Sequence, residues 1–349
     1  MKYLKQFFGF TLGFLITLAL LELFLQSAEV NALTNVKQDK VLGSRLNPNS
    51  NFLYFNEGFT IGKVNAYGYY GPSYPRTKDA NVERIALIGD SYVEGVQVFE
   101  RNHFRNKLEN LLNQVNNSSN SYQVLNFGRS GFNLNDAYCY YENFVKQFNP
   151  TVKLIFVSPG DLVNRGPIAS RPYALLQNED IVIDYGFSKS EKYKFKESTA
   201  AFRGKSVILG YILKTLELIR TDNYKYILFG KFSSIGGVTE RKTKKEKKKE
   251  ILSDITKKII LKLRNQDCIF VVHTETTIND YDYLVKDFLE FSKDNKVKVI
   301  NFSPLFEKLK TNNTNYNYWP VTNKKGHFNE RGHNEIAKFL YEMINKSKN

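Results

Sequence analysis

Hydrophobic and polar positions divide the chain into three stretches. The first, Phe7 to Leu25 (FFGFTLGFLITLALLELFL), is apolar almost without a break and follows Lys2 and Lys5. A helix over it rises about 1.5 Å per residue, enough to match the roughly 30 Å of a bilayer core, so it predicts a membrane-spanning helix. The second stretch, Asn31 to Ala80, is polar and punctuated by Pro48, Pro72, Pro75 and several glycines. It predicts an extended segment that leads away from the first helix and wraps the domain beyond. In the third, β-branched runs alternate with amphipathic ones. Strands are predicted at Arg84 to Ile88, Gln123 to Phe127, Lys153 to Ser158, Cys268 to His273 and Val297 to Phe302. Helices are predicted at His103 to Val115, Leu134 to Phe148, Lys249 to Arg264, Asp282 to Lys293 and Asn334 to Ile344. In one of these, Ile251, Ile255, Ile259 and Leu263 recur every four residues and share a helix face.

Alternation of this kind predicts a three-layer, doubly wound α/β fold, with about five parallel strands, helices on both faces and sites at the carboxyl ends of the strands. Between Asn164 and Lys249 the repeat is interrupted by a hairpin, in which DIVIDY follows the polar turn at Gln177 to Glu179, and by a helix-like run from Ser206 to Ile219. This stretch is expected as an insertion over the site or beside it. The organisation that results is a membrane anchor at 1–30, an extended linker at 31–80 and an α/β domain at 81–349, with the insertion at about 165–248.

The lysines before the apolar run favour a cytoplasmic N-terminus, which places everything after Leu25 outside the cytoplasm. Cleavage as a signal peptide is the competing reading, because Ser27, Ala28, Asn31 and Ala32 lie near a possible cleavage site. The run is long for a signal, which favours an uncleaved anchor. Glu22, near its end, is read as a carboxylate that reaches towards the interface.

A 14% aromatic content, from 27 Phe and 22 Tyr, marks a folding chain able to bury a large core and excludes disorder. The net charge of +15 is partly local, in Arg241 to Lys249 (RKTKKEKKK), and is read as a solvated face, or more sharply as attraction to an acidic polymer or an anionic membrane. The run lacks interleaved aromatics and any known module, so nucleic acid is not expected as a partner. Two cysteines, Cys139 and Cys268, each in an apolar stretch, are expected to be buried free thiols with no metal spacing.

The segment RIALIGDSYVEG carries the chemistry. An apolar strand runs into Gly89, Asp90 and Ser91, which sets a serine at the mouth of the sheet where backbone N–H groups can face an oxyanion. A serine nucleophile needs a base, and His327, in a loop before the last helix (GHFNERGH), is the candidate. The other three histidines fit structural places: His333 at a helix start, His103 opening a helix and His273 ending a strand.

With these segments in place, the chain resembles the SGNH, or GDSL, hydrolase family over about Arg84 to Ile344. It is most similar to bacterial members with an N-terminal membrane helix and an NAYGYYGPSYP-like segment before the nucleophile. The resemblance implies Ser91 as nucleophile, His327 as base, and an oxyanion hole from the N–H groups of Ser91 and Gly131, the latter in VLNFGRSGF. It implies a flavodoxin-like fold and neither cofactor nor metal. The chain departs from the family pattern in two respects. Gly160, in LIFVSPGDL, stands where an asparagine donor is usual, and Lys324 and Lys325 stand where an aspartate usually orients the histidine. Asn164 is a substitute for the donor, and Asp161 or a backbone carbonyl for the acid, with Asp90 as a neighbour. The implied function is an extracytoplasmic serine esterase or O-acyltransferase acting on O-acyl groups, acetyl first among them, of a surface or exported polysaccharide. The other reading, motivated by the two departures, is a catalytically degenerate domain that binds a glycan or scaffolds an export complex.

Overall fold

A computed structural model describes residues 2–28, 36–54, 57–115, 121–168, 170–203, 206–220, 252–273 and 282–346. Along the chain come α1 (Lys2–Ser27), the hairpin β1 (Val36–Asp39) and β2 (Gly43–Leu46), and the hairpin β3 (Asn51–Tyr54) and β4 (Thr60–Lys63). Then follow β5 (Val82–Gly89), α2 (Ser91–Glu94), α3 (Phe104–Val115), β6 (Ser121–Gly128), α4 (Leu134–Asn143) and β7 (Val152–Val157). After β7 come the hairpin β8 (Tyr173–Gln177) and β9 (Asp180–Asp184), then α5 (Glu191–Arg203) and α6 (Val207–Arg220). The chain closes with α7 (Asp254–Arg264), β10 (Cys268–Val272), α8 (Asp282–Asp294), β11 (Val299–Asn301), α9 (Ser303–Thr311), a short hairpin of β12 (Tyr318–Trp319) and β13 (Lys324–Lys325), and α10 (Glu330–Lys346).

The sheet order is β11-β10-β7-β5-β6 and every pairing in it is parallel. Strand order therefore reverses beside β5, the first strand of the sheet, and such a switch point opens a crevice at the carboxyl ends of the strands. Alternate residues of β5 feed opposite faces: Ile85 and Leu87 join α3, α9 and α10 in one core, and Ala86 and Ile88 join α4, α7 and α8 in the other. All four are fully buried, the pattern of a central parallel strand covered on both sides. The four-residue repeat expected for α7 is met by Ile255, Ile259 and Leu263, all buried, while Ile251 lies outside the described residues.

The stretch before the sheet has more structure than its polar composition suggests. Two hairpins occupy it, and Tyr69 and Tyr70 are buried against the sheet, where Tyr70 bridges to Asn126 of β6. Asn65, just after the second hairpin, shapes the turn that leads into these tyrosines by accepting from the N–H groups of Tyr67 and Tyr69. Arg84, almost wholly buried, hydrogen-bonds the carbonyls of Arg76 and Phe148 and the Gln123 side chain, which fastens the end of this wrap to the start of the sheet. α9, with Pro304 in its first turn, is an element that the hydrophobic pattern passed over. The lysine-rich run at Arg241 to Lys249 lies outside the described residues.

Candidate active site

Ser91 opens α2 directly after β5. Asp90 caps that turn, its Oδ1 accepting the Tyr92 N–H at 2.9 Å, so the serine is the first helical residue and its hydroxyl stands at the mouth of the switch point. His327 lies in the loop before α10, 236 positions away, yet its Nε2 is 2.8 Å from Ser91 Oγ. On the far side of the ring, His327 Nδ1 is 2.7 Å from Glu57 Oε2. The consistent assignment of protons has Nδ1–H donating to the carboxylate and Nε2 accepting from the serine hydroxyl. Tyr92 flanks the imidazole at a centroid distance of 4.7 Å.

Glu57 is the residue that sequence reasoning missed. It sits between β3 and β4 in the wrap, and its approach depends on Gly326: a Cβ there would lie 2.2 Å from Glu57 Oε1. The neighbouring hairpin fixes the other side, because the Trp319 indole N–H donates to the His327 carbonyl at 2.8 Å. Lys324 and Lys325, the positions at which an acid is usual, form the exposed strand β13. The acid comes instead from the opposite end of the chain. A glutamate directly preceding glycine between aromatic residues (FLYFNEGF) carries no local signal of this role.

Of the substitutes considered, the acid Asp161 is engaged elsewhere, and the amide Asn164 is oriented through its oxygen. Asp161 accepts from the Ser158 N–H and hydroxyl at 2.8 and 2.7 Å, closing its own turn, and makes no hydrogen bond with His327. Asn164 Oδ1 accepts from the Gly166 N–H and the Tyr173 hydroxyl. Gly160 is open, with the guanidinium of Arg165 as the nearest group to the place of a Cβ, at 3.8 Å.

Gly131 sits on the loop after β6, at φ +76°, a conformation that a side chain would strain, with open space where a Cβ would point. The loop is braced on both sides. Glu94, at the end of α2, accepts from the Ser130 N–H at 2.9 Å and from its hydroxyl, and Arg171 donates to the Gly131 carbonyl at 3.3 Å while pairing with Asp136 at 3.1 Å. Burial pushes the Glu94 carboxyl up, against the pull of the nearby Arg129 guanidinium. Among the described residues, the N–H groups of Ser91 and Gly131 have no acceptor. Two amides held by a capped turn and a braced loop are suited to a developing oxyanion.

Behind the serine, Asp90, Asp161 and His273 bring their polar atoms within 4.8 Å of one another. Burial raises both carboxyls and depresses the imidazole to about 4, so each group is pressed towards its neutral form. His103 is held down to about 3, and His333 well below its usual range, by the same desolvation, and His333 Nδ1 accepts the Phe104 N–H. These histidines pack the protein. Cys139 and Cys268 are free, buried and pushed up to about 12, which leaves their thiols protonated and unreactive.

No protein-family model matches the chain, and no curated protein matches it. Among solved structures it is similar to an acetyl xylan esterase, AlAXEase, at 15% identity and TM-score 0.40, over 75% of this chain and 99% of that one. A lipase/acylhydrolase from Enterococcus faecalis gives 13% and 0.40, over 75% and 95%. A member of the lipolytic protein G-D-S-L family from Veillonella parvula DSM 2008 gives 14% and 0.36, over 76% and 98%. Likeness this distant assigns neither substrate nor residue roles.

Proposed function

We infer that the chain is a serine esterase or O-acyltransferase of the SGNH type. The observation that carries this reading is the continuous hydrogen-bonded chain from Ser91 Oγ through His327 to Glu57, at 2.8 and 2.7 Å. His327 takes the Ser91 proton as the oxygen attacks an ester carbonyl, and Glu57 holds the ring in the tautomer that can accept it and stabilises the imidazolium that results. The oxyanion is held by the N–H groups of Ser91 and Gly131. The imidazolium then protonates the departing alcohol, leaving an acyl-enzyme that water, or a second hydroxyl, resolves. Glu57 removes one of the two reasons for reading the domain as inert, since an acid is present at the imidazole after all.

The substrate in this reading is a small O-acyl group on a surface or exported carbohydrate, and the domain stands outside the cytoplasm on an uncleaved anchor. Support for the address is the 26-residue helix α1, long and apolar enough to cross a membrane, with Lys2 and Lys5 at its start. Support for retention is a contact made late in that helix, by Glu22 with α6, which signal cleavage would remove. The test is a fluorophosphonate probe applied to the full chain in detergent. Ser91 is expected to label and Ser91→Ala to lose both label and esterase activity, by on the order of 10⁶-fold in kcat. Activity retained in Ser91→Ala overturns the nucleophile, and absent labelling beside a reactive control enzyme overturns the enzyme reading.

A further inference from the structure

α6 is held at its start by the membrane-spanning helix. Glu22, near the end of α1, lays its carboxylate on the N-terminus of α6: Oε1 accepts from the Val207 N–H at 2.7 Å, and Oε2 from the Ile208 N–H at 3.0 Å and the Ser206 hydroxyl at 2.9 Å. Gln26, one turn further along α1, donates Nε2 to the same carboxylate at 2.7 Å. Two orphan amides of α6 are thereby satisfied, and their partial positive charge faces an anion. In return, the donors make a carboxylate tolerable close to hydrocarbon.

α6 has two faces. Val207 and Gly210 are buried, whereas Tyr211 is 45% exposed and Ile212 and Leu216 are each 50% exposed. The exposed positions fall at i, i+1 and i+5, so they form one apolar stripe along the helix. Thr215, on the same stripe, turns its hydroxyl back to the Tyr211 carbonyl and offers no unpaired donor. From Ser206 to Leu216 the sequence carries a single charge, Lys214. Water would be a poor medium for such a stripe.

Depth follows from the contact. Glu22 lies five residues before the end of α1, which at 1.5 Å per residue is about 8 Å along its axis. Helices that lie in the plane of a bilayer surface bury their apolar face by a similar distance, about 5–10 Å. We propose that α6 is a second membrane contact, lying in the interface beside α1 with Tyr211, Ile212 and Leu216 in lipid. This rests on α1 spanning the bilayer. The body of the protein is coupled to it through α5, which packs on α6 and meets the first hairpin, where Lys40 pairs with Glu197 at 3.6 Å. The site is thus held at a set height over the membrane and is not left swinging on a tether.

The experiment uses the full chain in phosphatidylcholine–phosphatidylglycerol vesicles, with an environment-sensitive fluorophore on Ile212→Cys or Leu216→Cys and a quencher on the lipid acyl chains. Cys139 and Cys268 are buried and do not compete for label. Phe14→Cys in α1 and Val321→Cys, 78% exposed on the body, are the references. Loss of emission at 212 and 216 as at 14, with none at 321, is the expected result. Labels at 212 and 216 that behave like 321 while 14 is quenched overturn the proposal and leave the anchor standing. If 14 also escapes quenching, anchor and proposal fall together. Emission at 212 and 216 that is shielded from water yet unquenched by lipid assigns the stripe to a protein partner and also overturns it. Glu22→Ala is expected to weaken quenching at 212, and unchanged quenching there removes Glu22 as the tie.

Discussion

The strand ends of the sheet and the wrap that precedes them both supply the candidate site, by different means. Ser91 and Gly131 are delivered by β5 and β6, whose residues pair over eight positions and whose side chains fill two cores. Glu57 is delivered by a four-residue hairpin pairing on the surface, with exposed residues such as Ile61 on its outer face. In the proposed reading, a nucleophile held against backbone donors needs little freedom, which fits its place at the end of the most deeply buried strand. An acid that only orients a ring can ride on a lighter element, provided one close approach is kept clear for it.

If that division is right, changes in the two regions separate function from stability. After Ser91→Ala itself, the largest effect is expected from Glu57→Gln, a fall in kcat on the order of 10²- to 10⁴-fold by analogy with loss of the orienting charge in a serine protease, with the melting temperature little changed. Glu57→Asp should recover part of it, and Gly326→Ala should mimic the loss by displacing the carboxylate. Steady-state kinetics with a chromogenic acetate ester reads all three, and a Glu57→Gln enzyme of normal kcat breaks the comparison. Next comes Leu87→Ala in the buried centre of β5, expected to cost about 2–5 kcal/mol in denaturant unfolding, against about 0.5 kcal/mol or less for Ile61→Ala in the wrap.

A smaller effect belongs to the buried histidine behind the serine. His273 has its folded value depressed to about 4 from 6.5, so the folded state binds its proton less readily than the unfolded one. Its contribution is complete above pH 6.5 and is lost as pH falls towards 4, by up to about 1.4 kcal/mol per pH unit. The carboxyls of Asp90 and Asp161 are raised and act with opposite sign, favouring the fold on acidification, so the informative quantity is the difference between variants. His273→Gln should flatten the loss of stability over that window relative to the unaltered chain. The smallest effect is expected at the rim, where Lys40→Ala should change stability by no more than about 0.5 kcal/mol, because the ion pair is exposed to water, the lysine most of all.

Which parts could be read in advance follows the same division. The strands of the sheet announce themselves because residues covered on both faces must be apolar without interruption, and the GDS turn is marked by where such a run stops. His327 is legible because so few histidines exist. The partner of its other nitrogen is not, since a hydrogen bond between positions 270 residues apart leaves no trace in local pattern. Looking for the acid just before His327 fails for a physical reason: Lys324 and Lys325 pair with Trp319 and Tyr318, and that hairpin turns them into solvent. The wrap is hard to read in advance because its hairpins are short, with only single large apolar residues such as Leu46 and Phe52 buried on the strands of each.

The distances between Glu57, Ser91 and His327 along the chain also set a time of activation. The ribosome makes Glu57 and Ser91 early, but Ser91 gains its contact with His327 only when that residue and the helix that follows it have been synthesised and folded onto the sheet. On the proposed assignment, a chain that stops short of His327 is silent, because Ser91 then lacks the imidazole 2.8 Å from its hydroxyl.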